Sequence, residues 1–281
     1  MKWIKNILAG AVIGVANIIP GVSGGTMAVL MNIYEELIGS VSHFWKNMKQ
    51  SLRLLIPVGI GAVVGILLFS NLLKYLLEHF PMATNYFFIG LICGSIPMIY
   101  KRASKGGFRA VSVIPFVLAL AFMAVISYFS AQSGTAALIT ELTPIVFAKL
   151  VLFSAIAAMA MILPGVSGSM MLVIFGVYNS VLTAISELNI VLLIPVAIGV
   201  IIGILGGARL IDICLSKFPQ ATFCAILGLI IGSLYSLFFN AGFVFGWELA
   251  VSIFVLLLGA AISLFFASDW FAGKMKAYQK D

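Results

Sequence analysis

Charge is scarce in this chain. Of its 281 residues, 9% are Asp, Glu, Lys or Arg while 63% are hydrophobic, far from the average soluble domain. With a mean hydropathy of +1.20, that balance excludes an ordinary water-soluble enzyme. Acidic residues are the rarer sign, 9 against 16 Lys and Arg, for a net charge of +7. The positive residues are too dispersed for a nucleic-acid footprint, so no nucleic-acid partner is expected. Histidine is rarer still: His43 and His79 stand apart, and the three cysteines, Cys93, Cys214 and Cys224, make neither a metal-ligand spacing nor an even disulfide framework. No metal, redox centre or other cofactor is expected. The chain also lacks a G-x-x-x-x-G-K-[ST] phosphate loop, which argues against direct ATP drive by this chain alone.

Long apolar runs are what the chain has in plenty. The first, Ile7 to Ile19 after Lys2 and Lys5, imitates a signal peptide. No small-x-small cleavage signal follows it, and it leads into a block that recurs later, so it is expected to belong to the mature structure.

That block reveals an internal repeat. Ile18-Ile19-Pro20-Gly21-Val22-Ser23-Gly24 returns as Ile162-Leu163-Pro164-Gly165-Val166-Ser167-Gly168, an offset of 144. Further on, Leu54-Leu55-Ile56-Pro57-Val58 returns as Leu192-Leu193-Ile194-Pro195-Val196, with Gly61 and Gly65 against Gly199 and Gly203, at an offset of 138. Phe80-Pro81 matches Phe218-Pro219, and Gly90 and Gly94-Ser95 match Gly228 and Gly232-Ser233 in the same register. Shared leucines are cheap between apolar stretches, but Pro, Gly and Ser in shared register are not. Duplication is the reading. The Gly61/Gly65 and Gly199/Gly203 pairs are expected to serve close helix packing.

The predicted fold is an all-α polytopic membrane protein of two repeats, residues 1–135 and 136–281. Each repeat is a re-entrant, broken helical hairpin (7–38 or 147–185) followed by three transmembrane helices near the roughly 20 residues a crossing needs. The spans are expected at about 54–73, 86–100 and 111–129, then at about 190–208, 222–239 and 249–267. Within each hairpin, two apolar pieces of about a dozen residues flank the Pro-Gly-Val-Ser-Gly turn, each short for a full crossing.

Loop charge orients the chain. Lys2, Lys5, His43, Lys46, Lys49, Arg53, Lys101, Arg102, Lys105, Arg109, Arg209, Lys217, Lys274, Lys276 and Lys280 all fall on one side. Lys74, Glu78, Glu141, Glu187 and Glu248 fall on the other. Both termini are therefore expected in the cytoplasm. Each half makes an odd number of net crossings, so the halves are expected to have opposite orientations, as in inverted-repeat transporters. That holds for a re-entrant hairpin and for two short crossings alike.

Irregular backbone at membrane depth must be buried in protein or line a wet cavity, so the two turns should face each other or a cavity. Helices restarting near Ser23 and Ser167 would offer backbone N–H groups and hydroxyls to an anion. Ser23, Gly24, Gly25, Thr26, Ser167, Gly168 and Ser169 are the candidate phosphate ligands; simple tight packing is the competing role. Arg209 joins them as a cation able to grip two oxygens. Its equivalent is Asn71, so that role belongs to one half only. Glu35 and Glu36 after the first hairpin, together with Asn17, are candidates for coupling or gating.

The block Asn17-Ile18-Ile19-Pro20-Gly21-Val22-Ser23-Gly24-Gly25-Thr26 with Tyr34-Glu35, and its echo Leu163-Pro164-Gly165-Val166-Ser167-Gly168-Ser169 with Gly176-Val177-Tyr178, resembles the bacterial polyprenyl-phosphate transporter family over essentially the whole chain. The resemblance implies that the chain moves undecaprenyl phosphate from the outer to the inner leaflet of the cytoplasmic membrane, recycling the lipid carrier of cell-wall synthesis. Asn32 departs from the Gly expected there, but Asn also tolerates the left-handed backbone. Inward movement of an anion against a negative interior suggests coupling to a proton or cation. Two alternatives stay open: a small-anion secondary transporter, and a membrane undecaprenyl-pyrophosphate phosphatase. The phosphatase is weakened because Gly24 and Gly168 stand where its turn would carry Arg. The expected partners are the lipid substrate and the bilayer, with homo-oligomerisation left open.

Overall fold

The computed structural model describes residues 2–18, 22–104, 110–132, 138–139, 141–243 and 245–267. Pro20 and Gly21 of the first turn, Lys105, Arg109 and the C-terminal lysines lie outside the described residues. Among the described residues all regular structure is helical. The first half carries α1 (Lys2–Ile18), α2 (Gly24–Leu30), α3 (Tyr34–Ser42), α4 (Met48–His79), α5 (Pro81–Ala103) and, after a 3-10 turn at Ala110–Ser112, α6 (Val113–Gln132). The second carries α7 (Pro144–Ile162), α8 (Gly168–Ile174), α9 (Tyr178–Ser186), α10 (Ile190–Lys217), α11 (Pro219–Ala241) and α12 (Trp247–Ala267). The same order of lengths occurs twice.

Local chemistry explains many of these boundaries. Pro81, Pro144 and Pro219 open α5, α7 and α11, where a missing N–H costs nothing because the first turn has no partner for it. Thr143 caps α7 by accepting from the Val146 N–H at 3.3 Å. Equivalent side chains repeat their bonds: Thr84 and Thr222 each donate to the carbonyl four residues back at 2.8 Å. Ser95 and Ser233, both buried, donate to Ile92 and Ile230 at 2.7 and 2.8 Å.

Seven of these helices, α4, α5, α6, α7, α10, α11 and α12, are long and apolar enough to cross a bilayer, and the chain is a multi-pass membrane protein. Each of the six stretches expected to span overlaps one of these helices. Several are longer than their apolar stretch: α4 runs for 32 residues, about 48 Å at about 1.5 Å per residue, against a hydrocarbon core of about 30 Å. Its ends, with Lys49, Arg53, Lys74 and Glu78, keep helical hydrogen bonding beyond the apolar stretch.

The hairpins need a correction. Each is three helices rather than two short pieces, and α7, at 19 residues, is long enough to cross by itself; the α1 helix has 17. After the serine turn the chain breaks a second time, at Asn32 (φ 58°) and at its equivalent Gly176 (φ 70°). The left-handed backbone stops α2 and α8 after 7 residues each, and α8 meets α9 at 116°. Asn32 thus adopts the conformation for which glycine is the usual residue.

Glycines set the helix pairing. A Cβ added at Gly61 would lie 1.9 Å from the Ile7 carbonyl oxygen, and one at Gly199 would lie 2.3 Å from that of Val151. These residues press α4 onto α1 and α10 onto α7, the packing role expected of them. Gly90 and Gly228 do the same between halves, where a Cβ would lie 2.0 Å from the Leu256 oxygen and 2.4 Å from the Phe116 oxygen. Accordingly α5 packs on α12 and α11 on α6, so the halves interlock. The largest buried core gathers α2, α3, α5 and α11, around the turns.

Candidate functional site

The serine turns meet inside this core. Ser23 caps α2 with extended backbone (φ −101°, ψ 132°), its Oγ accepting from the Gly25 N–H at 3.2 Å. Ser167 has nearly the same backbone (φ −99°, ψ 128°) but makes no side-chain cap; its Oγ lies 2.8 Å from that of Ser169. Beside the first turn, the Gly24 N–H donates to Asn17 Oδ1 at 3.1 Å.

Three hydrogen bonds stitch the first hairpin to the second turn. The Gly165 N–H donates to Thr26 Oγ1 at 2.8 Å, Ser23 Oγ donates to the Leu163 carbonyl at 3.3 Å, and the Tyr34 hydroxyl donates to the Ile162 carbonyl at 3.3 Å. Carbonyls at a helix C-terminus have no donor within the helix, and leaving them unpaired in an apolar core costs several kcal/mol. The first hairpin supplies those donors for the end of α7. Gly25 permits the approach: a Cβ there would stand 2.9 Å from the Ile162 carbonyl oxygen. The turns therefore face each other, one of the two arrangements expected of them.

The hydroxyls are not equally available. Ser23 and Thr26 are buried, 4% and 1% exposed, and committed to the contact. Ser167 is half-buried and Ser169 exposed, with each other as hydroxyl partner. Gly168 packs on α7, where a Cβ would lie 3.0 Å from the Ala157 oxygen.

Arg209 stands with a different group. Its guanidinium meets His43 Nε2 at 3.0 Å, Ser42 Oγ at 3.4 Å and Asp212 Oδ2 at 3.5 Å. Asp212 also accepts from Ser42 Oγ at 2.9 Å and lies 3.5 Å from His43 Nδ1. This cluster ties the end of α3 to α10; none of the Arg209 hydrogen bonds runs to a described residue of either turn.

Glu35 is held by Arg102, whose guanidinium also binds Asn32 Oδ1 and lies 5.5 Å from the centroid of the Phe223 ring. Glu36 is exposed one residue on. Sequence reasoning counted Arg102 only as a loop charge. Its partners are 67 and 70 residues away, and no local spacing announces a contact made by packing α5 beside the first hairpin.

Two known transporters are similar to this chain over most of its length. A polyprenyl-phosphate transporter of Staphylococcus aureus (strain NCTC 8325 / PS 47) is 34% identical over 245 residues, covering 84% of this chain and 86% of the relative. A polyprenyl-phosphate transporter of Vibrio cholerae serotype O1 is 28% identical over 253 residues, covering 83% of this chain and 77% of the relative. No solved structure matches the chain. Residues 13–244 match the undecaprenyl phosphate translocase-like family, and over that length the chain belongs to it.

Proposed function

We propose that this protein carries undecaprenyl phosphate, or a closely related polyprenyl phosphate, from the outer to the inner leaflet of the bacterial cytoplasmic membrane, returning the lipid carrier of cell-wall synthesis for reuse. The observation that carries this reading is family membership, with both curated relatives named as polyprenyl-phosphate transporters. Those names also favour a transporter over a phosphatase. A phosphate monoester cannot cross hydrocarbon alone, whereas its polyprenyl tail prefers to stay there, so only the head group needs shelter.

In this reading residues 1–135 and 136–281 are oppositely oriented repeats, each entered by a re-entrant hairpin, with both termini cytoplasmic. Two contacts support it: His43 with Arg209 and Asp212, and Glu35 with Arg102, each join segments that loop charge assigns to one side. The phosphate sits at the serine turns. Ser167, Gly168 and Ser169 receive it first, because the Ser167 and Ser169 hydroxyls bond each other rather than the other half; Ser23, Gly24, Gly25 and Thr26 join when the turns part. Each negative charge moved inward across 100 mV costs about 2.3 kcal/mol, so a proton or cation accompanies the substrate, with Glu35 as its carrier and Arg102 as the group that holds Glu35 in place between cycles.

The test is reconstitution in proteoliposomes with head-group-labelled undecaprenyl phosphate. Wild type exchanges the label between leaflets. Ser167→Ala with Ser169→Ala slows exchange about tenfold, the loss of one charged hydrogen bond of about 1.5 kcal/mol. Unchanged exchange in that variant and in Ser23→Ala overturns the site while leaving transport standing. Exchange that ignores both pH gradient and imposed potential overturns the coupling.

A further inference from the structure

The α3 and α9 helices are repeat equivalents, as are α10 and α4, yet they are used differently. The α3 helix lies along α10, whereas among the described residues α9 has no such interface with α4. Ile38 on α3 is 5% exposed, and its equivalent on α9, Leu182, is 51% exposed. Ser42, His43 and Asp212 join the first pair. In register, their equivalents are Ser186, Glu187 and Lys74. The charges are exchanged, His and Asp for Glu and Lys, but the pair remains complementary. Lys74 is 74% exposed and, among the described residues, meets only Glu78, one turn along its own helix at 4.0 Å. Loop charge places Lys74 and Glu187 on the same side of the membrane, opposite the His43–Asp212 cluster.

We propose that α9 and α4 form a second closure, with Glu187 meeting Lys74 and Leu182 covered by α4, in a state where the α3–α10 closure has opened. The inference rests on the opposed repeats of the proposed function and deepens it by naming the surfaces that close in turn. Chance does not readily supply the match. Two helices that never meet have no reason to keep complementary charges at the two positions where their equivalents touch. An apolar face left open beside α9 also gains by being covered, since close packing recovers dispersion contacts in the bilayer. Each closure is made by the hairpin of a different half, and the two hairpins are tied together at their turns, so opening one closure accompanies closing the other and exposes the turns to one side at a time.

The experiment uses the full chain in membrane vesicles, with Cys93, Cys214 and Cys224 changed to Ala, and three cysteine pairs: Lys74→Cys with Glu187→Cys, His43→Cys with Asp212→Cys, and Leu67→Cys with Glu187→Cys as a control two turns away. Oxidation is expected to cross-link the first two pairs and not the third. Each cross-link abolishes leaflet exchange of labelled undecaprenyl phosphate, and reductant restores it, which shows that the variant was folded. Without cysteines, Lys74→Glu is expected to lose most exchange and Lys74→Glu with Glu187→Lys to regain it. If 74/187 does not cross-link while 43/212 does and wild-type exchange is intact, the second closure is overturned and transport stands. If both pairs cross-link but wild-type protein moves no lipid, the closure stands and the proposed function falls.

Discussion

The first and second halves share a scaffold but not its polar fittings. In both, a glycine pair presses the first long helix after the hairpin onto the helix before the turn, and a second pair presses the next helix onto the last helix of the other half. In the first half the hairpin is pinned at both ends of α3, by Arg102 at Glu35 and by Asp212 at Ser42 and His43. In the second, the equivalents of Glu35 and Arg102 are the neutral Asn179 and Asn240. These close contacts left no room for divergence, because a Cβ at those glycines meets a carbonyl oxygen or, at Gly232, the Met123 side chain. Charge at helix ends was free to differ, and it is there that one half is held and the other released.

The largest effect expected tests the shared scaffold. Gly61→Leu and Gly199→Leu should each destabilise by about 3 kcal/mol or more through overpacking, seen as lost monodispersity and a lower Tm in detergent. Gly59→Leu and Gly206→Leu, where a Cβ would meet nothing within 4 Å, should leave both unchanged. Equal damage from all four would break the claim that glycines set the pairing.

Next comes the contact between turns. Thr26→Val keeps the shape but leaves the Gly165 N–H without its acceptor, and should cost about 1–3 kcal/mol. Ser169→Ala, at the exposed turn of the other half, should change Tm little. A similar fall in both would show that the turns are equally committed.

Asn32 and Gly176 sharpen the equivalence of the hairpins. Gly176→Ala places an ordinary residue in the left-handed region, at about 1–2 kcal/mol, whereas Asn32 already carries a Cβ there, so Asn32→Ala should cost less on backbone grounds and lower Tm less. A clear excess at Asn32 would measure what its bond to Arg102 adds.

The smallest thermal effect is expected at the ion pair. Glu35 is 55% exposed on its side chain, so Glu35→Gln should change stability by no more than about 1 kcal/mol, and Asn179→Ala, its counterpart, by nothing measurable. Leaflet exchange, by contrast, should lose its response to a pH gradient in Glu35→Gln alone.

Much of this was readable from local pattern. Long apolar runs gave the six expected helices because a peptide in hydrocarbon must satisfy its own hydrogen bonds, and the paired Pro-Gly-Val-Ser-Gly blocks showed where that regularity breaks. Harder to see was the second break. In the sequence Asn32 shows only as a departure from glycine and Gly176 only as part of the repeated block, since a single left-handed residue leaves hydrophobicity unchanged. The full length of α7 escaped for a similar reason: its cap at Thr143 and its start at Pro144 precede the apolar run that defined the hairpin.

Apolarity, repeat and turn chemistry are local properties, and they sufficed to specify a helical membrane protein built twice from one plan. Partnership is not local. That Thr26 accepts from Gly165, that Arg102 holds Glu35, and that Arg209 joins His43 rather than a serine turn follow from how interlocked helices bring together segments from about 70 to more than 160 residues apart. Little charge was needed for this, since in an apolar core a few hydroxyls and backbone groups, once packed together, have no water to choose instead.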